Sequence, residues 1–148
     1  MLAAPTEQEL IEFIEIEKIR VAKLYAVKHA KGFITRQEFI DWYCQQLDKQ
    51  QCKCYYCDTS IFVIRKLIAA GALKTRKIKG DAVRGPVLEI DKVVNSKGYT
   101  SDNCVLACYW CNNDKSYTMD GESYNEHFGA NRSRYHKLLT SIITYKLS

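Results

Sequence analysis

Apolar residues recur at helical spacing through the first part of the chain: Leu10, Ile11, Phe13, Ile14, Ile16, Ile19, Val21, Leu24 and Val27. Pro5-Thr6, with Glu9 three residues after the threonine, forms a capping box ahead of that run. With Gly32 as a stop, the pattern predicts a long amphipathic helix over about residues 7–30, serving as a core or dimer helix. His29 falls on it among basic residues and reads as a surface group. Thr35 and Glu38 repeat the capping box, and Phe39, Trp42, Tyr43 and Leu47 give a second helix to about Lys49, with Cys44 packed inside it. Ile61, Ile64, Leu67 and Ile68 predict a third helix, capped by Asp58, Thr59 or Ser60 and ending near Gly71.

The period then changes. Val87 to Ile90 and Cys104 to Ala107 read as short buried strands separated by a turn at Gly98. A helix over about Tyr109 to Tyr117 follows. A last one spans about Asn131 to Lys146, its apolar face being Tyr135, Leu138, Leu139, Ile142 and Ile143.

The chain has 148 residues, 47% of them apolar, which suits one globular domain or a small core with a helical attachment. No apolar run reaches the length of a membrane span, and the N-terminus has no basic region followed by an apolar core. The expectation is a soluble, cytoplasmic protein without membrane contact. The net charge is +5, unevenly spread. Residues 1–73 carry ten Lys/Arg against nine Asp/Glu, and residues 74–148 carry twelve against eight. Within the second half, Lys74, Arg76, Lys77, Lys79 and Arg84 stand against one acid, Asp81. That segment is either a strand or loop that follows a phosphate backbone, or a solvated connector.

There are seven cysteines. In an unsecreted chain, closely spaced pairs point to metal rather than disulfides. Cys54/Cys57 and Cys108/Cys111 are C-x-x-C turns, each able to present two thiolates to one tetrahedral Zn²⁺. A redox role lacks the βαβ context it would need. Cys52 is left as a spare thiol. Such a zinc site supplies folding energy and no chemistry of its own.

Between and after the strands lie Asp91-Lys92, Lys97-Gly98-Tyr99, Asn103 and then C-x-x-C-N-x-x-K from Cys108 to Lys115. This order resembles the HNH, or ββα-metal (His-Me finger), endonucleases, over about Cys54 to Ser116. The resemblance implies an α+β fold with a ββα-metal core at residues 51–120 stapled by the four-cysteine zinc site; the helical region at 1–50 and the C-terminal helix at 121–148, read from their apolar spacing, lie outside it. It also implies that Asp91 and Asn112 hold a catalytic Mg²⁺ or similar divalent cation, that Asn103 braces the loop, and that Lys115 touches phosphate. Hard Mg²⁺ favours such oxygen donors and leaves coordination positions for substrate.

The family's base histidine would fall at Lys92, where a lysine better serves as a phosphate clamp or counter-charge. In this respect the chain is similar to a subgroup of small rare-cutting restriction enzymes in which a loop tyrosine begins cleavage. Tyr99 matches that tyrosine, and it could activate the attacking water if the metal or Lys92 favours its phenolate; otherwise it packs against the turn. His127 and His136 could be recruited spatially as the base, although such residues are more often surface groups.

The implied function is a DNA endonuclease of restriction or phage type acting on double-stranded DNA, with a homodimer expected for two-strand cleavage. The alternatives are a non-catalytic zinc-containing nucleic-acid-binding module and a helical protein-interaction module.

Overall fold

The structure is a computed structural model that describes residues 2–25 and 32–147. It contains helices α1 (Glu7–Leu24), α2 (Arg36–Lys49) and α3 (Ile61–Ala69), strands β1 (Arg76–Lys77), β2 (Val83–Arg84), β3 (Leu88–Lys92) and β4 (Cys104–Cys108), then α4 (Tyr109–Lys115), α5 (Gly121–Tyr124), a π turn (Asn125–Gly129) and α6 (Ala130–Leu147). Helices and two small antiparallel sheets thus share the described residues. None of these helices is long and apolar enough to cross a membrane. Val27 and His29 lie outside the described residues.

Local signals set the helix starts. Both capping boxes form: Thr6 accepts from the Glu9 amide and Thr35 from the Glu38 amide, while each glutamate reaches back to its cap. Of the three candidate caps for α3, Ser60 is the one used. α4 stops at Lys115 rather than Tyr117, because Ser116 turns into the left-handed region at φ 49°. The basic segment folds as the β1–β2 ribbon, pairing Arg76 with Arg84 and Lys77 with Val83.

β3 and β4 pair in antiparallel register from Leu88–Cys108 to Lys92–Cys104, and the chain passes from β4 straight into α4. Every residue of β4 is buried. The core joins this hairpin to α2 and α3 through Phe39, Tyr43, Leu47, Ile61, Ile64, Leu67, Leu88 and Leu106. Phe33 and Trp42 add an aromatic cluster, with ring centroids 5.2 Å apart, and the Trp42 indole donates to the Ser101 carbonyl at 3.2 Å. At Gly32 a Cβ would lie 1.5 Å from the Tyr99 carbonyl oxygen. Only glycine allows the two backbones to approach this closely.

A buried polar knot fixes α1. The Glu17 carboxylate accepts two bonds from Arg20 and one from the Tyr43 hydroxyl at 2.7 Å. Burial pushes the Tyr43 phenol well up.

The expected apolar face of α6 is corrected. Tyr135, Leu138 and Ile142 are exposed, while His136 and Ile143 are buried. The helix carries two apolar stripes, and the one including Leu139 and Ile143 meets the core. His136 is accordingly interior, not a surface group.

Glu17→Ala should destabilise the fold by about 3 kcal/mol, because it leaves Arg20 and Tyr43 without their buried acceptor. Glu15→Ala, which removes only an exposed pair with Lys18, should leave stability essentially unchanged. Chemical denaturation of the two variants separates these outcomes.

Candidate metal centre and acidic face

Cys54, Cys57, Cys108 and Cys111 are all buried, and their sulfurs lie within 4.8 Å of one another. The Cys57 and Cys108 sulfurs are 3.9 Å apart. A tetrahedral Zn²⁺ with bonds of about 2.3 Å sets sulfurs about 3.8 Å apart, so the cluster could hold a structural metal such as zinc. Among the described residues it is the one group of three or more His, Cys, Asp or Glu donors gathered closely enough to share an ion.

The thiol electrostatics fit this. Hydrogen bonding from Cys108 and Cys111 pulls the Cys57 thiol far down, while the Cys108 thiol is driven well up by Cys111, Cys54 and Cys57. Four thiolates packed this closely would repel one another, and a dication would remove that opposition. Burial pushes the other interior thiols up, Cys52 to about 11 and Cys104 to about 12. Cys52 is the spare thiol of its segment.

The first C-x-x-C turn is laid against β4. The Tyr55 amide donates to the Leu106 carbonyl at 2.9 Å. The Gln50 amide group brackets the Leu106 backbone, donating at 2.8 Å and accepting at 3.0 Å. His136 reaches the cluster from α6. Its Nδ1 is 3.0 Å from the Thr59 hydroxyl and 3.9 Å from the Cys57 sulfur, and its Nε2 is buried with no hydrogen-bond partner. An imidazole that orients a ligating thiolate from outside the coordination sphere is a familiar device.

The second feature is the face of β3 that meets α4. Side chains two apart on a strand share a face, so Glu89 and Asp91 point the same way. Asn112 and Lys115, three apart on α4, also share a side. They meet pairwise. Asn112 Nδ2 donates to Glu89 Oε2 at 2.7 Å, and Lys115 Nζ lies 3.3 Å from Asp91 Oδ1. Arg84 forks onto Glu89 at 2.8 and 2.5 Å and stacks on the Tyr109 ring, 4.7 Å from its centroid. The Tyr56 hydroxyl donates to Asp91 Oδ2 at 2.6 Å.

Asp91 and Asn112 therefore stand on one shared face, yet each is engaged by a different partner. Each Asp91 oxygen already accepts from a protein group. Burial raises the Asp91 carboxyl above its usual range, although Tyr56 and Lys115 pull the other way.

The remaining expected residues fall as follows. Asn103 is buried and braces the loop after β3. Its Nδ2 donates to the carbonyls of Val94 and Gly98 at 3.1 and 3.0 Å, and its Oδ1 accepts from the Val94 amide at 3.0 Å. Lys92 donates to the Asn95 carbonyl and lies 5.1 Å from the Tyr99 ring centroid. The Tyr99 phenol is raised by burial, with Cys104 and Asp91 pushing in the same direction. That opposes the expected phenolate.

Lys74, Arg76, Lys77 and Lys79 are exposed. Of the other two expected phosphate contacts, Lys115 is 0% exposed, and Arg84 is paired with Glu89.

Sequence reasoning missed Tyr56, Glu89 and His136. Tyr56 stands between the two cysteines of the first turn, which was a usable signal. Gly121 permits its position, since a Cβ there would lie 2.6 Å from the Tyr56 hydroxyl. No protein-family model, curated protein or solved structure matches the chain.

Removal of metal by a strong chelator should unfold residues 54–115, seen as loss of protected amides in hydrogen exchange. His136→Ala should weaken metal affinity about 10- to 100-fold in a competition titration.

Proposed function

We propose that the chain is a metal-dependent DNA endonuclease of the HNH kind, hydrolysing backbone phosphodiesters as a restriction or phage-type nuclease does. The observation that carries this reading is the β3–β4 hairpin running directly into α4, with Glu89 and Asp91 facing Asn112 and Lys115. The loop braced by Asn103 supports it, because it keeps Tyr99 beside Lys92.

In this reading Lys92 offers positive charge to a substrate phosphate, and the Tyr99 hydroxyl orients the attacking water. The exposed cations Lys74, Arg76, Lys77 and Lys79 grip the duplex through its phosphates. A second copy docking on the exposed Ile11, Ile16 and Ile19 of α1 would bring another such face to the opposite strand.

The reaction calls for Mg²⁺ or a similar divalent cation, which supplies charge stabilisation at the scissile phosphate when bound. Asp91 and Asn112 are the residues assigned to hold it. Their present partners do not suit such an ion, which needs open oxygens and keeps several waters. This favours a second reading, a non-catalytic zinc-containing nucleic-acid-binding module, in which Asp91 serves only to pair with Lys115.

Supercoiled plasmid incubated with the zinc-loaded protein and Mg²⁺ should be nicked or linearised. Asp91→Ala should abolish cleavage, and Tyr99→Phe should slow it by about a hundredfold or more. Equal cleavage by wild type and Asp91→Ala would remove Asp91 from the chemistry. Salt-dependent binding with no cleavage would leave the second reading. In either case, alanine at Lys74, Arg76, Lys77 and Lys79 should flatten the dependence of log K on log salt by about 0.9 for each phosphate that is no longer neutralised.

A further inference from the structure

Lys74 to Val83 is an unbroken run of exposed residues that folds as a regular hairpin, not as a loose connector. β1 and β2 pair Arg76 with Arg84 and Lys77 with Val83. The Ile78 amide carries the pairing toward the tip by donating to the Ala82 carbonyl at 2.9 Å. The base of the ribbon is held on the body of the protein. Leu73 is buried just before it. Arg84 is forked onto Glu89 and lies over the Tyr109 ring, and Arg65 donates to the Pro86 carbonyl at 2.7 Å just after it. An isolated two-stranded hairpin is marginal in water. This one is anchored at its base and bare on both sides.

Its side chains are not those of a plain phosphate clamp. Ile78 is 49% exposed and Val83 36%, apolar groups set among cations. Arg76 stands directly opposite Arg84, a like-charge pairing that costs stability. Glu89 draws Arg84 away. Arg76 has no ion pair and no side-chain hydrogen bond among the described residues. Residues directly opposite share a side of a ribbon, as do residues two apart on a strand. Arg76, Ile78 and Arg84 therefore project on one side, Lys77 and Val83 on the other. Arg84 reaches Glu89, which also takes Asn112. The side with Arg76 and Ile78 is thus the one turned to the β3–α4 face.

We infer that the β1–β2 ribbon enters the major groove of duplex DNA and reads base edges through Arg76 and Ile78, a step that rests on the DNA-binding reading of this chain. The major groove admits a two-stranded ribbon and shows a distinct pattern of donors, acceptors and methyl groups at each base pair. The guanidinium fork of Arg76 matches the O6 and N7 acceptors of guanine, and Ile78 offers the apolar contact that a thymine methyl takes. Lys77 and Lys79 lie against the phosphates that wall the groove, which positions the ribbon without reading sequence. Arg84 is a positioning residue. It ties the ribbon to β3, and so sets the bases that are read at a fixed distance from the strand bearing Asp91.

The test is selection from a randomised duplex library by the zinc-loaded full chain in Mg²⁺-free buffer. Dissociation constants follow for the selected duplex and its single-base variants, with folding of each protein variant checked by circular dichroism. Wild type should select a motif containing guanine. Arg76→Lys keeps the charge but loses the fork. It should discriminate at that guanine about tenfold or more less well, with the salt dependence of log K unchanged. Replacing that guanine by 7-deazaguanine, which removes the major-groove N7, should weaken wild type and leave Arg76→Lys indifferent. Deoxyuridine in place of thymine, which removes the methyl group, should weaken wild type but not Ile78→Ala. Lys77→Ala should weaken all duplexes alike.

A wild type with no sequence preference would overturn the inference. So would discrimination that survives in Arg76→Lys, or a wild type that ignores both 7-deazaguanine and deoxyuridine. Plasmid cleavage is scored separately. Arg76-dependent selection without cleavage would sink the nuclease reading alone, and Asp91-dependent cleavage without a selected motif would sink the ribbon alone.

Discussion

The convergence of four cysteine sulfurs from two turns some fifty residues apart in sequence is the constraint on which the rest of the site depends. One turn precedes α3; the other joins β4 to α4. Closing them on each other fixes where α4 leaves the hairpin, and therefore which of its side chains face β3. The coupling is more direct still at Tyr56, the neighbour of Cys57 in the chain, whose hydroxyl rests on Asp91. The thiolate clasp and the acidic face are thus mechanically one object. A metal that organises the first also sets the hydrogen bonding of the second.

The acidic face illustrates how burial changes the meaning of a charged residue. Two carboxylates on one strand face would repel in a low-dielectric setting unless compensated. Here each has its own cation, Arg84 on Glu89 and Lys115 on Asp91. A buried pair of this sort contributes little net stability over an apolar pair, but it is costly to break on one side only. Such an arrangement fits a position where charge is held for a purpose. It also explains why a lysine that looks like a phosphate contact in sequence is turned inward, and why Arg84 is paired with Glu89. Within the basic segment, Lys74, Arg76, Lys77 and Lys79 are the cations that face solvent.

Features governed by a few adjacent residues were legible from the sequence. The two capping boxes, the two C-x-x-C turns, the short strands and the bracing asparagine each depend on contacts within about ten residues or on a fixed ligand spacing. What could not be read required knowing which faces meet. That Asn112 would address Glu89 and Lys115 would address Asp91 follows from the pairing of β3 with α4, not from either segment alone. α6 carries two apolar stripes, and only packing against α3 and the cysteine cluster decides that His136 goes inside while Tyr135 and Leu138 stay out. Tyr99 was expected to ionise more easily if a metal or Lys92 favoured its phenolate, but burial, with Cys104 and Asp91, raises the phenol.

The most direct test of this account is X-ray absorption at the zinc edge on the purified, untreated protein. It predicts one zinc per chain with a shell of four sulfurs at about 2.3 Å and no lighter donor. A shell containing nitrogen or oxygen, or a metal-free protein whose β3–β4 hairpin and α4 remain fully protected, would contradict it.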